Sequence, residues 1–201
     1  METIKIWNNK TSDNILEDIS ARLKQGEIAV IPTDTMYAIV ADALNVKAIE
    51  RLCRLKNINP EKTDLSIICS DISMASEYSR IGNKVFRLIK GNTPGQFVFL
   101  LKSASTLPRA FKGRKTVGIR IPDNDFNRQL SAAMGGPLIT TSIEYEDEDY
   151  ACEPGLIAEA YQDKVDFMVE GERGTTNVST IIDCTDDNPE IIRQGAGVIG
   201  C

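Results

Sequence analysis

The sequence predicts a mixed α/β domain, and three observations lead there. Short aliphatic and β-branched runs, such as Glu27-Ile28-Ala29-Val30-Ile31 and Phe97-Val98-Phe99-Leu100-Leu101, interleave with segments of helical periodicity at irregular spacing along all 201 residues. The composition, 42% hydrophobic and 26% charged, supports a real core, and there is no repeat, low-complexity tract or linker. No stretch approaches the roughly 18 apolar residues of a spanning helix, and the N-terminal METIKIWNNK lacks an apolar secretory core. A single cytoplasmic domain over residues 1–201, with no membrane partner, is the expectation.

The elements follow in order. Asp13 to Gln25 reads as a helix with Ile15, Leu16, Ile19 and Leu23 on one face, Ser12 or Asp13 as N-cap and Gly26 as stop. The strand Glu27 to Ile31 is ended by Pro32. Val46 to Lys56 forms a second helix with Ile49, Leu52 and Cys53 as its apolar stripe, Leu65 to Cys69 a short strand, and Asp71 the N-cap of the next helix. Asn83 to Lys90 is helical, with Val85, Phe86 and Ile89 inward and Gly91 at its end. After the Thr93-Pro94-Gly95 turn come the strand from Phe97, a basic loop, and the strand Val117 to Ile121, stopped by Pro122. A helix from Asp125 to Met134 ends at Gly135-Gly136. Further strands are expected at Pro137 to Thr141, Val165 to Val169, Val178 to Asp183 and Glu190 to Arg193. Pro154 opens a helix reaching Tyr161.

The most restrictive count is histidine, of which there is none. That removes Ser-His-Asp and Cys-His nucleophilic chemistry, HExxH zinc sites and imidazole pH switches. Five cysteines without a CxxC pair suggest neither a zinc site nor a disulfide framework, so Cys53, Cys69, Cys152 and Cys184 read as buried free thiols and Cys201 as exposed. No metal site is expected. The acidic run Glu144 to Asp149 reads as a solvated loop, because the calcium-loop pattern with its central glycine is missing.

The net charge of −6 hides an asymmetry. Between Glu77 and Asp123 there is no acidic residue and there are 10 cationic ones, which leaves 13 cationic against 29 acidic residues elsewhere. Segregation of this kind concerns partners rather than fold. Lys84, Arg87 and Lys90, at helical spacing, read as a solvated face. Arg109, Lys112, Arg114 and Lys115, in a loop leading into a strand, are candidates for the phosphates of an RNA backbone.

Chemistry is most concentrated in Pro32-Thr33-Asp34-Thr35-Met36-Tyr37-Ala38, a hydroxyl-rich turn directly after a buried strand, where open α/β folds place ligands. Neither GxxxxGK[ST] nor GxGxxG is present. Along the chain this turn is followed by Leu55-Lys56, Thr93-Pro94-Gly95-Gln96-Phe97-Val98-Phe99, Val117-Gly118-Ile119-Arg120-Ile121-Pro122, Pro137-Leu138-Ile139-Thr140-Thr141-Ser142, Ser179-Thr180-Ile181-Ile182-Asp183 and Arg193-Gln194-Gly195. In that order these segments resemble the YrdC/YciO family over Glu27 to Gly197.

The resemblance implies a YrdC-like twisted sheet with flanking helices and a concave, positively charged surface. It implies for the synthase branch that L-threonine, bicarbonate and ATP become threonylcarbamoyl-AMP and pyrophosphate, with Mg²⁺ carried mainly by the nucleotide, as a step towards threonylcarbamoyl modification of adenosine in tRNA. Lys56 and Arg120 are then the catalytic cations, with Arg193 beside them. Thr33, Thr35, Tyr37, Arg54, Pro94, Gly95, Gly118, Thr141, Ser142 and Ser179 complete the nucleotide and threonine site. Two positions depart from the synthase pattern. Ile58 stands two residues after Lys56 where that pattern has arginine, and Glu144 stands two residues after Ser142 where it has asparagine. Loss of a guanidinium removes a bidentate phosphate clamp, and an added carboxylate repels phosphate. Arg54, one helical turn before Ile58, is placed to compensate. These departures resemble the YciO branch, for which hydrolysis of threonylcarbamoyl-AMP is the alternative to its synthesis. Two readings of another class stay open beside the enzyme: a double-stranded RNA or tRNA-binding protein acting in translation, and a sensor that binds a nucleotide without turnover.

Overall fold

The computed structural model describes residues 1–8, 11–60, 62–63, 65–108, 111 and 115–200. Within them the chain runs β1 (Glu2–Lys5), α1 (Asp13–Lys24), β2 (Ala29–Ile31), β3 (Ala38–Asp42), α2 (Val46–Leu55), β4 (Ser66–Ile68), α3 (Ile72–Tyr78), β5 (Ser79–Arg80) and α4 (Asn83–Asn92). It continues with β6 (Phe97–Ser103), β7 (Thr116–Arg120), α5 (Asp125–Met134), β8 (Leu138–Ser142), α6 (Asp149–Cys152), α7 (Pro154–Tyr161), β9 (Phe167–Glu170), β10 (Thr180–Asp183) and β11 (Glu190–Arg193). All eleven strands join one mixed sheet in the order β1-β9-β2-β3-β8-β4-β7-β6-β10-β11, and β5 pairs with β6.

Local chemistry sets most boundaries. The side chains of Asn45, Asp71 and Asn124 accept from the backbone N–H groups of Ala48, Met74 and Asn127 and so cap α2, α3 and α5. Gly26 at φ +100° and Gly135 at φ +62° carry the chain out of α1 and α5 in a backbone region that side chains avoid. Gly91 does not stop α4, which continues to Asn92. Phe86 is 40% exposed rather than inward, since the buried stripe of α4 is Val85 and Ile89 alone. Three elements come from strand pairing that the sequence did not announce, β1, β3 and β5, and a single-turn helix, α6, starts inside the acidic run predicted as loop.

Strand alternation divides the core in two. On one face α1 and α5 bring Leu16, Ile19, Leu23, Phe126 and Leu130 onto Ala29, Ile31, Val40, Ile68 and Leu138. On the other face α2, α3, α4 and α7 pack over Val30, Ile39, Ile67, Phe99, Ile119 and Ile139. Burial of each such aliphatic side chain contributes about 1.5–3 kcal/mol. The first pair of helices leaves part of its face open. Ser66, Val98, Thr140 and Ile181, each one residue out of phase with a core-facing neighbour, line a cleft there. Cys53, Cys69, Cys152 and Cys184 are buried and free; burial, with Asp183 and Asp186 beside it, pushes the Cys184 thiol up to about 12. Cys201 lies outside the described residues. Among the described residues no helix is long and apolar enough to cross a membrane.

Candidate functional site

The open sheet face forms a cleft of about 180 Å³ whose lining includes Ile58, Ser66, Arg120, Thr140, Thr141, Ser142, Ser179 and Arg193. Pockets for drug-sized ligands run to roughly 300–1,000 Å³, so this one encloses a fragment the size of an amino acid or a phosphate group. Strand register builds it. Ser66 on β4 lies between Gly118 of β7 and Thr140 of β8. A Cβ on Gly118 would sit 2.5 Å from Ser66 Oγ and 2.8 Å from Val98 Cγ1, so only glycine leaves the floor of the cleft intact.

Arg120, at the end of β7, is buried, and its Nη2 donates to Asp34 Oδ1 at 2.6 Å and to Thr35 Oγ1 at 3.2 Å. Asp34 Oδ2 accepts from the Asp123 N–H at 2.9 Å, and Gln96 Nε2 donates to the Asp34 carbonyl. Burial pushes the Asp34 carboxyl above its usual range although Arg120 pulls it down. Burial likewise lowers Arg120, with Asp34 opposing and the nearby positive Arg193 adding to the shift. Arg120 Nε and Thr140 Oγ1 are buried without a partner among the described residues. An unmet buried donor costs about 1–3 kcal/mol, so the cleft carries hydrogen-bonding capacity that the fold alone leaves unused.

Arg193 on β11 is exposed and donates through Nε and Nη2 to the Ser179 carbonyl at 3.2 and 2.8 Å. Lys56, just past α2, is largely covered: its Nζ donates to the Ser142 carbonyl at 3.0 Å and pairs with Glu144 Oε1 at 2.7 Å. The Tyr161 hydroxyl holds the Glu144 backbone, accepting from its N–H at 2.8 Å and donating to its carbonyl at 3.2 Å. Two guanidinium groups therefore face a cleft whose lining has no carboxylate among the described residues, and a third cation adjoins it already neutralised.

Among the residues the sequence nominated, Arg120, Thr141, Ser142, Ser179 and Arg193 come together in the lining, with Gly118 as the floor and Lys56 adjoining. Others serve the frame. Thr33 Oγ1 closes its own turn, donating to the Met36 carbonyl at 2.7 Å and accepting from the Thr35 N–H at 3.0 Å, while the Thr35 hydroxyl supports Arg120. Tyr37 is buried; its hydroxyl donates to the Glu172 carbonyl and accepts from the Gly171 N–H, and burial pushes it up to about 12. Arg54 is exposed on the last turn of α2 and does not line the cleft, so the guanidinium absent at Ile58 is not replaced there. Pro94 is exposed, and Gly95 lines a separate recess with Asp34, Gln96 and Asp123. Arg109, Lys112 and Arg114 lie outside the described residues, and Lys115 is exposed. Sequence reasoning passed over Ser66, Thr140 and Asp34. A polar residue at a cleft-facing position of an otherwise aliphatic strand was the available signal for the first two.

Comparison with known proteins agrees with this fold. The family model Sua5_yciO_yrdC, described as Telomere recombination, matches residues 21–195. The protein named YciO in Escherichia coli strain K12 is 34% identical over 178 residues, 87% of this chain and 86% of that protein. A Bacillus subtilis protein named threonylcarbamoyl-AMP synthase is 27% identical over 191 residues, which are 92% of this chain and 54% of that longer protein. The crystal structure of Escherichia coli YciO matches with a TM-score of 0.90 at 31% identity, covering 99% of this chain and 98% of that one. The fold and these matches agree: the chain belongs to the Sua5/YciO/YrdC family.

Proposed function

We propose that this protein acts on threonylcarbamoyl-AMP, the product for which its synthase relatives are named, and that its charge arrangement favours breakdown of this compound over assembly from L-threonine, bicarbonate and ATP. Relatives named threonylcarbamoyl-AMP synthase support the substrate class, and the resemblance to that branch supports the link to threonylcarbamoyladenosine in tRNA. The Lys56–Glu144 pair at 2.7 Å carries the direction. A triphosphate brings several negative charges and needs unpaired cations, whereas an adenylate brings one phosphate charge. With Lys56 neutralised and Ile58 apolar, Arg193 and the unused Nε of Arg120 suit the single charge.

In this reading Arg193 and Arg120 hold the phosphate, and Ser66, Thr140, Ser142 and Ser179 give hydroxyl contacts to the threonyl part. Water attacks the carbamoyl carbon and gives its protons to bulk solvent, the bond from that carbon to the phosphate oxygen breaks, and AMP leaves with the electron pair. The remaining threonine carbamate then takes up a proton from solvent and loses carbon dioxide to give threonine. Among the described residues the lining of the cleft has no carboxylate, and no group of His, Cys, Asp and Glu could hold a metal. This donor set does not fit a magnesium ion held by the protein, so the binding chemistry assigned to the chain is that of cations and hydroxyls.

The test follows AMP released from threonylcarbamoyl-AMP and, separately, pyrophosphate released from ATP, threonine, bicarbonate and Mg²⁺. The expected result is AMP release that Arg193→Ala lowers at least tenfold and Lys56→Ala changes little, with pyrophosphate release that is weaker and rises in Glu144→Gln. Absence of turnover in both mixtures overturns the reading.

A further inference from the structure

We propose a second phosphate-binding site, formed by Arg80, Lys102 and Lys115 at the far end of the same open sheet face. In the short β5–β6 ladder Arg80 stands directly opposite Lys102, and on the other side of β6 Lys102 stands opposite Thr116. Like charges placed opposite each other across a ladder repel. Lys115, at φ +59°, precedes β7 and completes the group. The three cations line one recess of about 640 Å³ together with the hydroxyl-bearing Ser103, Ser105, Thr116 and Thr185. All three are exposed, and none has a carboxylate partner among the described residues. Asp186 and Asp187 border the adjoining recess with Arg80 and Lys102 without pairing to either.

Convergence of cations with neutral hydroxyl donors is the chemistry that recognises phosphate oxygens. A bound phosphate also removes the repulsion across the ladder, which couples occupancy to stability. The site is distinct from the cleft. Alternation puts Val98, Leu100 and Lys102 of β6 on the same face as Gly118 and Thr116 of β7. Thr116 and Arg120 lie four residue steps apart along β7, a distance of about 13 Å. One phosphate group therefore cannot touch both ends. The phosphates belong either to a small polyphosphate or to an RNA backbone, and the two sources are separable by experiment.

Inorganic pyrophosphate and a short duplex RNA are titrated, at low and physiological salt, into the wild-type protein and into Arg80→Gln/Lys102→Gln, Lys115→Gln and Arg193→Gln, with Tm measured for each. Arg193→Gln controls for binding in the cleft. The expected result is at least a tenfold loss of affinity in Arg80→Gln/Lys102→Gln and a smaller loss in Lys115→Gln, while Arg193→Gln loses only the pyrophosphate binding that belongs to the cleft and keeps the binding that the cluster variants abolish. The double variant should unfold no earlier than wild type at low salt, because the repulsion is gone. Loss for pyrophosphate assigns a small anion, and loss for RNA alone assigns a nucleic-acid backbone. Unchanged affinity for both probes in both cluster variants, or no binding of either probe to the wild-type protein, overturns the site.

Discussion

Two carboxylate–guanidinium pairs in this molecule have the same chemistry and opposite electrostatics. Arg51 on α2 clasps Asp166 with two bonds of 2.5 and 2.9 Å, and Asp166 also accepts from the Ile28 N–H at 2.8 Å. Its side chains are 45% and 27% exposed, against 7% and 3% for Arg120 and Asp34. Burial pushes Asp166 up, but the bonds from Arg51 and Ile28 outweigh it and hold the carboxyl below its usual range. At Asp34 burial wins, and Arg120 is left with an unpartnered Nε. The first pair meets its own demands and ties α2 to the start of β9. The second leaves demand unmet beside the cleft, which is the pattern of a group arranged for a ligand rather than for the fold.

The comparison breaks most directly when each carboxylate is removed. Asp34→Ala strands a buried guanidinium, and the expected cost is about 3–5 kcal/mol, a fall in Tm on the order of 10 °C. Asp166→Ala leaves Arg51 free to take water but removes the acceptor of the Ile28 N–H, so the expected cost is about 1–2 kcal/mol. Thermal unfolding of both variants decides the matter, since equal losses would mean that the Asp34 pair is an ordinary structural clasp.

The elements most legible in the sequence were those with a local cause. The stripe of α1, the cap at Asp71 and the glycine ends of α1 and α5 all depend on neighbours a few residues away. Ala38 to Asp42 was missed because β3 is paired on both sides and almost wholly buried, which erases alternation. Glu2–Lys5 is a strand because Phe167–Glu170 offers it an edge, a partner more than 160 residues away. The site divides similarly. The ordered motifs located Arg120, Ser142 and Ser179, but register decided that Thr140 and Ser66 join them. Asp34 turned inward because Arg120, 86 residues later, lies within 2.6 Å, and no local pattern encodes that contact.

The finest division between the two pairs lies in their response to acid. Asp34 has a folded value above its ordinary one, so its contribution to stability is full below the usual carboxylate range and is lost as pH rises through the raised value. Asp166 has a folded value below its ordinary one, so its contribution is present above the usual range and is lost as pH falls through the lowered value. Unfolding free energies of wild type, Asp34→Asn and Asp166→Asn between about pH 7 and about pH 3 should therefore diverge with opposite slopes. As pH falls, wild type gains on Asp34→Asn and loses its margin over Asp166→Asn. Since each slope is set by a single carboxyl, the differences are a fraction of the Asp34→Ala loss. Parallel profiles for the two variants would show that burial does not dominate at Asp34, and the contrast between a satisfied pair and a ligand-ready one would then rest on the Arg120 Nε alone.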